Sequence, residues 1–136
     1  MSRIVYAVAG DSQGHVNRAL TLCNELKEHE FLFVGGGAVH SLSHLGEIYE
    51  VPMIVSHYEN NELTFNSITG ALPIFWNAKR VITKLARKME EFSAAIAISD
   101  YEYHTPQAAN LAGVPSLCVG HQNIQSRCKS VHIPGQ

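Results

Sequence analysis

The sequence predicts an α/β fold, a Rossmann-like parallel sheet of order 3-2-1-4-5 with helices on both faces. Five apolar runs of strand length alternate with helical patterns along the 136 residues. Residues 3–34 read as strand, helix and strand, a unit whose crossover is almost always right-handed. In a sheet of this order, ligands bind beyond the carboxyl ends of the strands, between strands 1 and 4.

The individual elements follow from local patterns. The predicted strands are residues 3–9, 30–34, 52–55, 94–99 and 116–120, and the predicted helices are residues 15–28, 38–45, 74–92 and 104–112. Pro73 suits the start of the third helix, and Gly113 suits the end of the fourth. Residues 56–70 are polar and rich in asparagine, so we expect a long loop, usually a functional or mobile element.

Composition excludes several classes of function. A net charge of −2 gives no general attraction to nucleic acid or to an anionic membrane. Cys23, Cys118 and Cys128 form no C-x-x-C pair, which favours reduced thiols and a cytoplasmic protein. We expect Cys23 and Cys118 to be core residues, no membrane-spanning helix, and no metal or other cofactor.

The glycine loop after the first strand does not match two well-known phosphate-binding motifs. It is followed by no Gly-Lys-Ser/Thr, and its spacing is G-x-x-x-G rather than G-x-G-x-x-G. Residues 35–37, all glycine, close strand 2, and no acidic residue follows that could bind a ribose hydroxyl. This argues against a nicotinamide enzyme. The loop can still contact a phosphate or an acceptor through Gly10, Asp11, Ser12 and Gly14.

His15 and Asp100 are the candidate catalytic residues. His15 stands at the start of a helix, whose positive end favours the neutral imidazole that can accept a proton. Asp100 ends the fourth strand, so the topology predicts that the two side chains approach each other. Such a pair deprotonates a hydroxyl; the alternative is that each residue only caps its own helix or turn.

Other polar and aromatic residues are expected near the same edge of the sheet. The candidates for an acceptor pocket are Gly36, His57, Tyr58, Trp76, Tyr101 and His121. His104 has no predicted role beyond lining that pocket. Gly36 could instead belong to a turn, and the residues at 57 and 58 to an ordinary polar loop.

Two blocks of sequence resemble a known family. Residues 14–17, Gly-His-Val-Asn, continue into a helix with Arg18 and Leu20, and residues 98–101, Ile-Ser-Asp-Tyr, precede residues 112–115, Ala-Gly-Val-Pro. In this order and on this β/α pattern they resemble the N-terminal domain of GT-B glycosyltransferases of the UDP-glycosyltransferase and MurG-like group. The resemblance implies a nucleotide-sugar substrate, a sugar acceptor with a hydroxyl, His15 as general base and Asp100 as its partner.

The resemblance also sets expectations for the rest of the enzyme. Residues 1–122 would form the acceptor domain and residues 123–136 the start of a connection or a tail. A second domain or a separate subunit would bind the sugar nucleotide, so the isolated chain should not transfer a hexose. Arg18 stands where many members have proline. A sugar-nucleotide epimerase half and a non-catalytic ligand-binding domain of the same fold stay open as alternatives.

The helix over residues 74–92 combines an apolar stripe with five basic residues. These are Lys79, Arg80, Lys84, Arg87 and Lys88. One interpretation is a peripheral contact with the inner face of a membrane. The other is a helix that packs on the core with a solvated basic face, and this is the more usual case. Trp76 would be an interfacial anchor or a wall of the acceptor pocket.

Overall fold

A computed structural model describes residues 1–9, 13–53, 58–59, 62–63 and 65–120. The strands are β1 (Arg3–Val8), β2 (Glu30–Gly35), β3 (Glu47–Glu50), β4 (Tyr58–Glu59), β5 (Glu62–Leu63), β6 (Ile96–Asp100) and β7 (Ser116–Val119). The helices are α1 (Gln13–Glu25), α2 (Phe65–Glu91), α3 (His104–Ala112) and a 3₁₀ helix (Gly37–Leu42). Five strands form a parallel sheet of order β3-β2-β1-β6-β7, which confirms the predicted topology.

Helices cover both faces of this sheet, because successive side chains of a strand point to opposite faces. On one face, Tyr6 and Val8 of β1 pack against Val16 and Ala19 of α1 and against residues of the 3₁₀ helix. On the other face, the core contains these residues of β1, α2 and α3: Val5, Ala7, Leu85, Ala86, Met89, Ala108 and Ala109. The predicted helices on both faces are therefore confirmed.

The cysteines differ in their surroundings. Cys23 of α1 is in the core, and burial raises the pKa of its thiol to about 11. The prediction that Cys118 is also a core residue is wrong. Cys118 is exposed because β7 is the outer strand of the described sheet, and Ser116 and Leu117 beside it are exposed as well.

The third strand lies earlier than predicted. It is Glu47–Glu50 and pairs with residues 32–35 of β2; Pro52 and Met53 do not continue it, and residues 54–55 of the predicted strand lie outside the described residues. An edge strand is half exposed, and the Glu-Ile-Tyr-Glu sequence of this strand gives no continuous apolar run. Proline also lacks the N–H that the ladder needs, and the last bond is made by the Val51 N–H to the carbonyl of Gly35, at 3.0 Å.

The segment predicted as a loop over residues 56–70 contains regular structure. β4 and β5 form a short antiparallel hairpin, and α2 begins at Phe65 rather than at Pro73. Pro73 therefore lies inside the helix, where it removes one N–H donor without ending the helix. The Asn77 side chain donates to the Pro73 carbonyl at 2.9 Å, one turn further on.

Candidate active site

The register of β1 and β6 creates the site. Val8 is the lateral neighbour of Asp100, and the Ala9 N–H donates to the Asp100 carbonyl at 2.9 Å. The chain segments that leave these two strands therefore start side by side at the carboxyl edge of the sheet. α1 follows the first of them, so its first turn, with His15, stands over the end of β6.

His15 and Asp100 are brought together by this arrangement. The Nδ1 atom of His15 lies 2.9 Å from Oδ1 of Asp100. An ionised carboxylate only accepts hydrogen bonds, so the Nδ1–H of His15 donates and its Nε2 is left for another partner. The Asp100 side chain is fully buried, whereas 19% of the His15 side chain is exposed. A ligand can therefore reach the histidine but not the aspartate.

Arg18 is a second partner of the same carboxylate, one that sequence reasoning missed. Its Nη1 donates to Oδ1 of Asp100 at 2.8 Å, and 46% of its side chain is exposed. The Oδ2 atom of Asp100 is buried with no hydrogen-bond partner among the described residues. The cation stabilises the negative charge of Asp100 inside the protein. Residues three apart on a helix share a face, which is the signal that could have found Arg18 from His15.

The pKa of Tyr6 also responds to the charge of Asp100. Its ring lies in the core of β1. Burial, and then the negative charge of Asp100, raise the pKa of Tyr6 to about 12, although Arg18 acts in the opposite sense. The phenol therefore stays protonated across the physiological range.

Tyr101 forms a wall of the site. Its backbone has φ of 63°, a left-handed conformation that costs a non-glycine residue on the order of 1–3 kcal/mol. This conformation turns the chain sharply after β6 and brings the Tyr101 ring to 5.1 Å from the His15 ring. Gly120 lies directly against the Tyr101 ring, where a side chain would collide with it.

A buried cluster holds the start of α3. Glu102 accepts three hydrogen bonds: from the His104 N–H at 2.9 Å, from His104 Nδ1 at 2.8 Å and from the Thr105 N–H at 2.6 Å. Burial alone would raise the pKa of Glu102, but these bonds outweigh it and lower the pKa. Sequence reasoning missed Glu102, although an acidic residue just before a helix is a capping signal.

Two polar atoms of this cluster lack a partner. Within the described part of the chain, no group bonds to Nε2 of His104 or to Oγ1 of Thr105, and both atoms are buried. Such an unsatisfied atom costs about 1–3 kcal/mol. His104, Tyr101, Glu102 and Tyr103 line a small cavity of about 70 Å³, and its lining also includes Ala9, just after β1, and Pro52 and Met53, after β3.

The other predicted site residues are placed as follows. Gly10, Asp11, Ser12, His57 and His121 lie outside the described residues, as does the side chain of Tyr58. Gly14 is exposed in the first turn of α1. Gly36 lies against Met53, so it borders the cavity through that side chain. Trp76 is 91% exposed and is not part of the cavity wall.

The described residues contain neither a cluster of metal ligands nor a membrane-spanning helix. In that part of the chain, no three His, Cys, Asp or Glu side chains come close enough to hold a metal ion. None of its helices combines the length and the apolar character needed to cross a membrane.

Comparison with known proteins gives one family. The family model described as Glycosyl transferase family 1 matches residues 2–134. A search of curated proteins finds no match to the chain.

Solved structures share the fold. MurG of Acinetobacter baumannii superposes with a TM-score of 0.60 and 20% identity, over 93% of this chain and 39% of MurG. UGT73P12 of Glycyrrhiza uralensis, solved with glycyrrhetinic acid 3-O-monoglucuronide, gives 0.50 and 15%, over 87% of this chain and 28% of that protein. The chain thus spans about two fifths of the first structure and under a third of the second.

A third solved structure with this fold comes from a protein named as a hydrogenase. The C-terminal domain of the PF1911 hydrogenase of Pyrococcus furiosus gives a TM-score of 0.53 and 14% identity, over 87% of this chain and 91% of that domain. At these identities the likeness shows the fold alone, and the site must carry any argument about chemistry.

Proposed function

The chain belongs to glycosyl transferase family 1, with the fold of an N-terminal GT-B domain, and from that premise we propose that it is the acceptor-side half of a sugar transferase. The acceptor hydroxyl attacks the anomeric carbon of a nucleotide sugar, the nucleoside diphosphate leaves, and Nε2 of His15 takes the hydroxyl proton. A donor half, as a further domain or a subunit, supplies the sugar nucleotide. No metal or other cofactor takes part in this proposal.

The observation that carries the proposal is the 2.9 Å contact between His15 and Asp100. A ligand-binding domain without chemistry needs no buried carboxylate behind an accessible imidazole. Here Asp100 fixes the tautomer that leaves Nε2 facing away from the carboxylate, and its charge stabilises the imidazolium formed when the proton arrives. Arg18 Nη1 donates to the same buried carboxylate at 2.8 Å and so helps to hold Asp100 in position behind the imidazole.

The test is the substitution His15→Ala in the full-length protein that contains this chain. Release of nucleoside diphosphate from a panel of UDP- and dTDP-sugars, with hydroxyl acceptors present, measures turnover. We expect kcat to fall roughly 10²–10⁴-fold, because a general base is lost, while the affinity for the sugar nucleotide changes little. The matched control is His44→Ala, an exposed histidine close to the amino end of β3.

Unchanged turnover of His15→Ala would remove the base assignment. A product that keeps its nucleotide and changes only the stereochemistry of the sugar would replace transfer by epimerisation. Residues 1–136 alone should give no transfer, because the MurG structure that they match is more than twice as long.

The first half of α2 supports a second part of the proposal, a peripheral membrane contact. Leu72 is 61% exposed and Trp76 is 91% exposed, with Phe75 half exposed between them. Lys79 and Arg80 follow in the next turn and border a surface groove with Trp76. Apolar side chains next to basic ones are typical of helices that lie in a membrane interface and favour anionic lipid. The core-facing alternative describes the second half of α2, where Leu85 and Met89 are buried.

Vesicles test this contact. We expect the full-length protein to co-sediment with phosphatidylcholine vesicles that contain phosphatidylglycerol, and the double substitution Leu72→Ser, Trp76→Ser to abolish it. Leu111→Ser is the control, since Leu111 is 59% exposed but lies near the carboxyl end of a different helix, α3. Equal sedimentation of the double variant and the control would contradict the assignment.

A further inference from the structure

The ring of Tyr101 is packed against two residues at the edge of the sheet. Asp100 pairs with Val119, so the next residues, Tyr101 and Gly120, leave neighbouring strands side by side. The centroid of the Tyr101 ring lies 5.1 Å from that of the His15 ring, and the two planes are tilted by 49°. A Cβ on Gly120 would collide with Cε2 of Tyr101. The Tyr101 ring therefore touches both residues, and it fits there because position 120 has no side chain.

The backbone of Tyr101 is strained, and its neighbours hold it in that state. A φ of 63° favours glycine or asparagine, because the Cβ of most other residues crowds the backbone there. Ser99 Oγ donates to the Glu102 carbonyl at 2.7 Å across this turn, and the Glu102 side chain accepts from the backbone at the start of α3. A turn that only connected β6 to α3 would form more easily with glycine. The strain therefore points to a use for the Tyr101 side chain.

His15 needs a second contact to fix the orientation of its ring. The outer torsion of a histidine side chain has broad preferences, so neighbouring groups set the plane of the imidazole. Asp100 offers one oxygen, Oδ1, at 2.9 Å from Nδ1 of His15, and Arg18 donates to the same oxygen at 2.8 Å. One hydrogen bond fixes one atom of the ring and leaves the ring able to swing about it. A wall against the ring removes that motion.

We propose that Tyr101 is a positioning residue for His15, and that its ring limits the swing of the imidazole and keeps Nε2 directed at the acceptor hydroxyl. Tyr101 takes no part in the proton transfer and acts only through His15. This inference rests on the proposed function for the role of Nε2, whereas the restriction of the ring does not. A displaced ring lowers turnover, because a general base must lie within hydrogen-bond reach of its proton.

Kinetics of the full-length protein separate the ring of Tyr101 from its backbone. Tyr101→Asn removes the ring and accepts the φ of 63°. We expect it to lower kcat about ten- to hundredfold, with the KM values of acceptor and sugar nucleotide changed less than about twofold. The conservative variant Tyr101→Phe keeps the ring, so its kcat should stay within about threefold of the parent. Equal losses in the two variants, or a change confined to the acceptor KM, would overturn the inference.

Tyr101→Gly is a second variant without the ring and also accepts this φ. It takes the place of Tyr101→Asn if circular dichroism shows that the asparagine variant is unfolded.

A double-mutant cycle with His15→Ala tests whether Tyr101 acts through the histidine. In the His15→Ala background, Tyr101→Asn should change the residual turnover less than about twofold, because no imidazole is left to hold. A purely structural role would lower turnover in both backgrounds alike. The same ten- to hundredfold loss with and without His15 would therefore overturn the inference.

The orientation of the His15 ring can be observed without any enzyme activity. In crystal structures of the full-length parent and of Tyr101→Phe, we expect one imidazole orientation, with Nδ1 in contact with Oδ1 of Asp100. In Tyr101→Asn the ring should occupy more than one orientation or leave that contact. An unchanged single orientation in Tyr101→Asn would overturn the inference.

These measurements separate the two proposals. If the parent transfers sugar and Tyr101→Asn turns over as fast as the parent, the positioning role is wrong and the transferase proposal stands. If the parent consumes no nucleotide sugar, the transferase proposal fails, and the orientation of the His15 ring in the variants decides whether Tyr101 restricts it.

Discussion

Replacing Glu102 by glutamine is the sharpest test of how this edge of the sheet is built. The amide is nearly isosteric, but it has one acceptor oxygen where the carboxylate has two. Either the Thr105 N–H or the pair from His104 then faces an NH₂ group. Hydrogen bonds to a charged group contribute about 1.5–3 kcal/mol, and loss of a helix cap costs about 0.5–2 kcal/mol. We expect Glu102→Gln to lower the free energy of unfolding by about 2–4 kcal/mol at pH 7.

Urea unfolding followed by circular dichroism measures this loss, and a melting temperature lower by roughly 6–15 °C should accompany it. Glu90→Gln is the control, because Glu90 is exposed on α2 and should change stability very little. A Glu102→Gln variant as stable as the parent would refute the role of Glu102 as the cap of α3.

Acid provides a second check on the same carboxyl group. The pKa of Glu102 in the folded protein lies below its ordinary value of 4.5. The stability that it contributes is therefore fully present above about pH 4.5 and is lost as the pH falls through the folded pKa. The difference between the parent and Glu102→Gln should narrow in that acid range. A constant difference would mean that the charge of Glu102 contributes nothing.

The remaining predictions concern glycine and cysteine positions. Gly35→Ala should lower the free energy of unfolding by about 3 kcal/mol or more, because φ is +154° and the new Cβ would lie 2.5 Å from the backbone oxygen of Val8. Gly36→Ala should lower the free energy of unfolding by about 1 kcal/mol or less, since the atom nearest to the new Cβ, 2.8 Å away, is the movable Met53 sulfur. Thermal melts of the two variants compare these losses directly. Cys118→Ser should remove a fast-reacting thiol at pH 8 and Cys23→Ser should not, because burial raises the pKa of Cys23 to about 11. Equal labelling of the two thiols would contradict the described burial.

Much of the fold follows from the sequence because parallel strands leave a strong pattern. β1, β2 and β6 are buried on both faces, so each gives an unbroken apolar run. β3 is a half-exposed edge strand, and its Glu-Ile-Tyr-Glu sequence resembles a polar connection. The sequence predicts the start of α2 too late, because proline is common in the first turn of a helix and rare inside one, whereas Pro73 lies inside α2.

The candidate site was predictable only as far as topology reaches. The strand order alone brings the end of β1 next to the end of β6, which is why His15 and Asp100 could be paired across 85 positions. The contact of Arg18 with Asp100 depends on the direction of a long side chain. The position of Glu102 depends on the turn at Tyr101, whose φ of 63° no sequence pattern predicts. The strand order does not determine either contact.

The shared oxygen of Asp100 has a consequence for the charge of the whole site. With His15 neutral, the formal charges of His15, Asp100 and Arg18 sum to zero before the proposed reaction. Uptake of the acceptor proton makes the sum +1 on this half, at the moment when the departing nucleoside diphosphate gains negative charge on the other. A relative with proline in place of Arg18 would start at −1 and end neutral. Under the proposed reaction, this half should therefore hold a donor half more tightly after transfer than before, and added salt should accelerate the opening that releases the nucleotide.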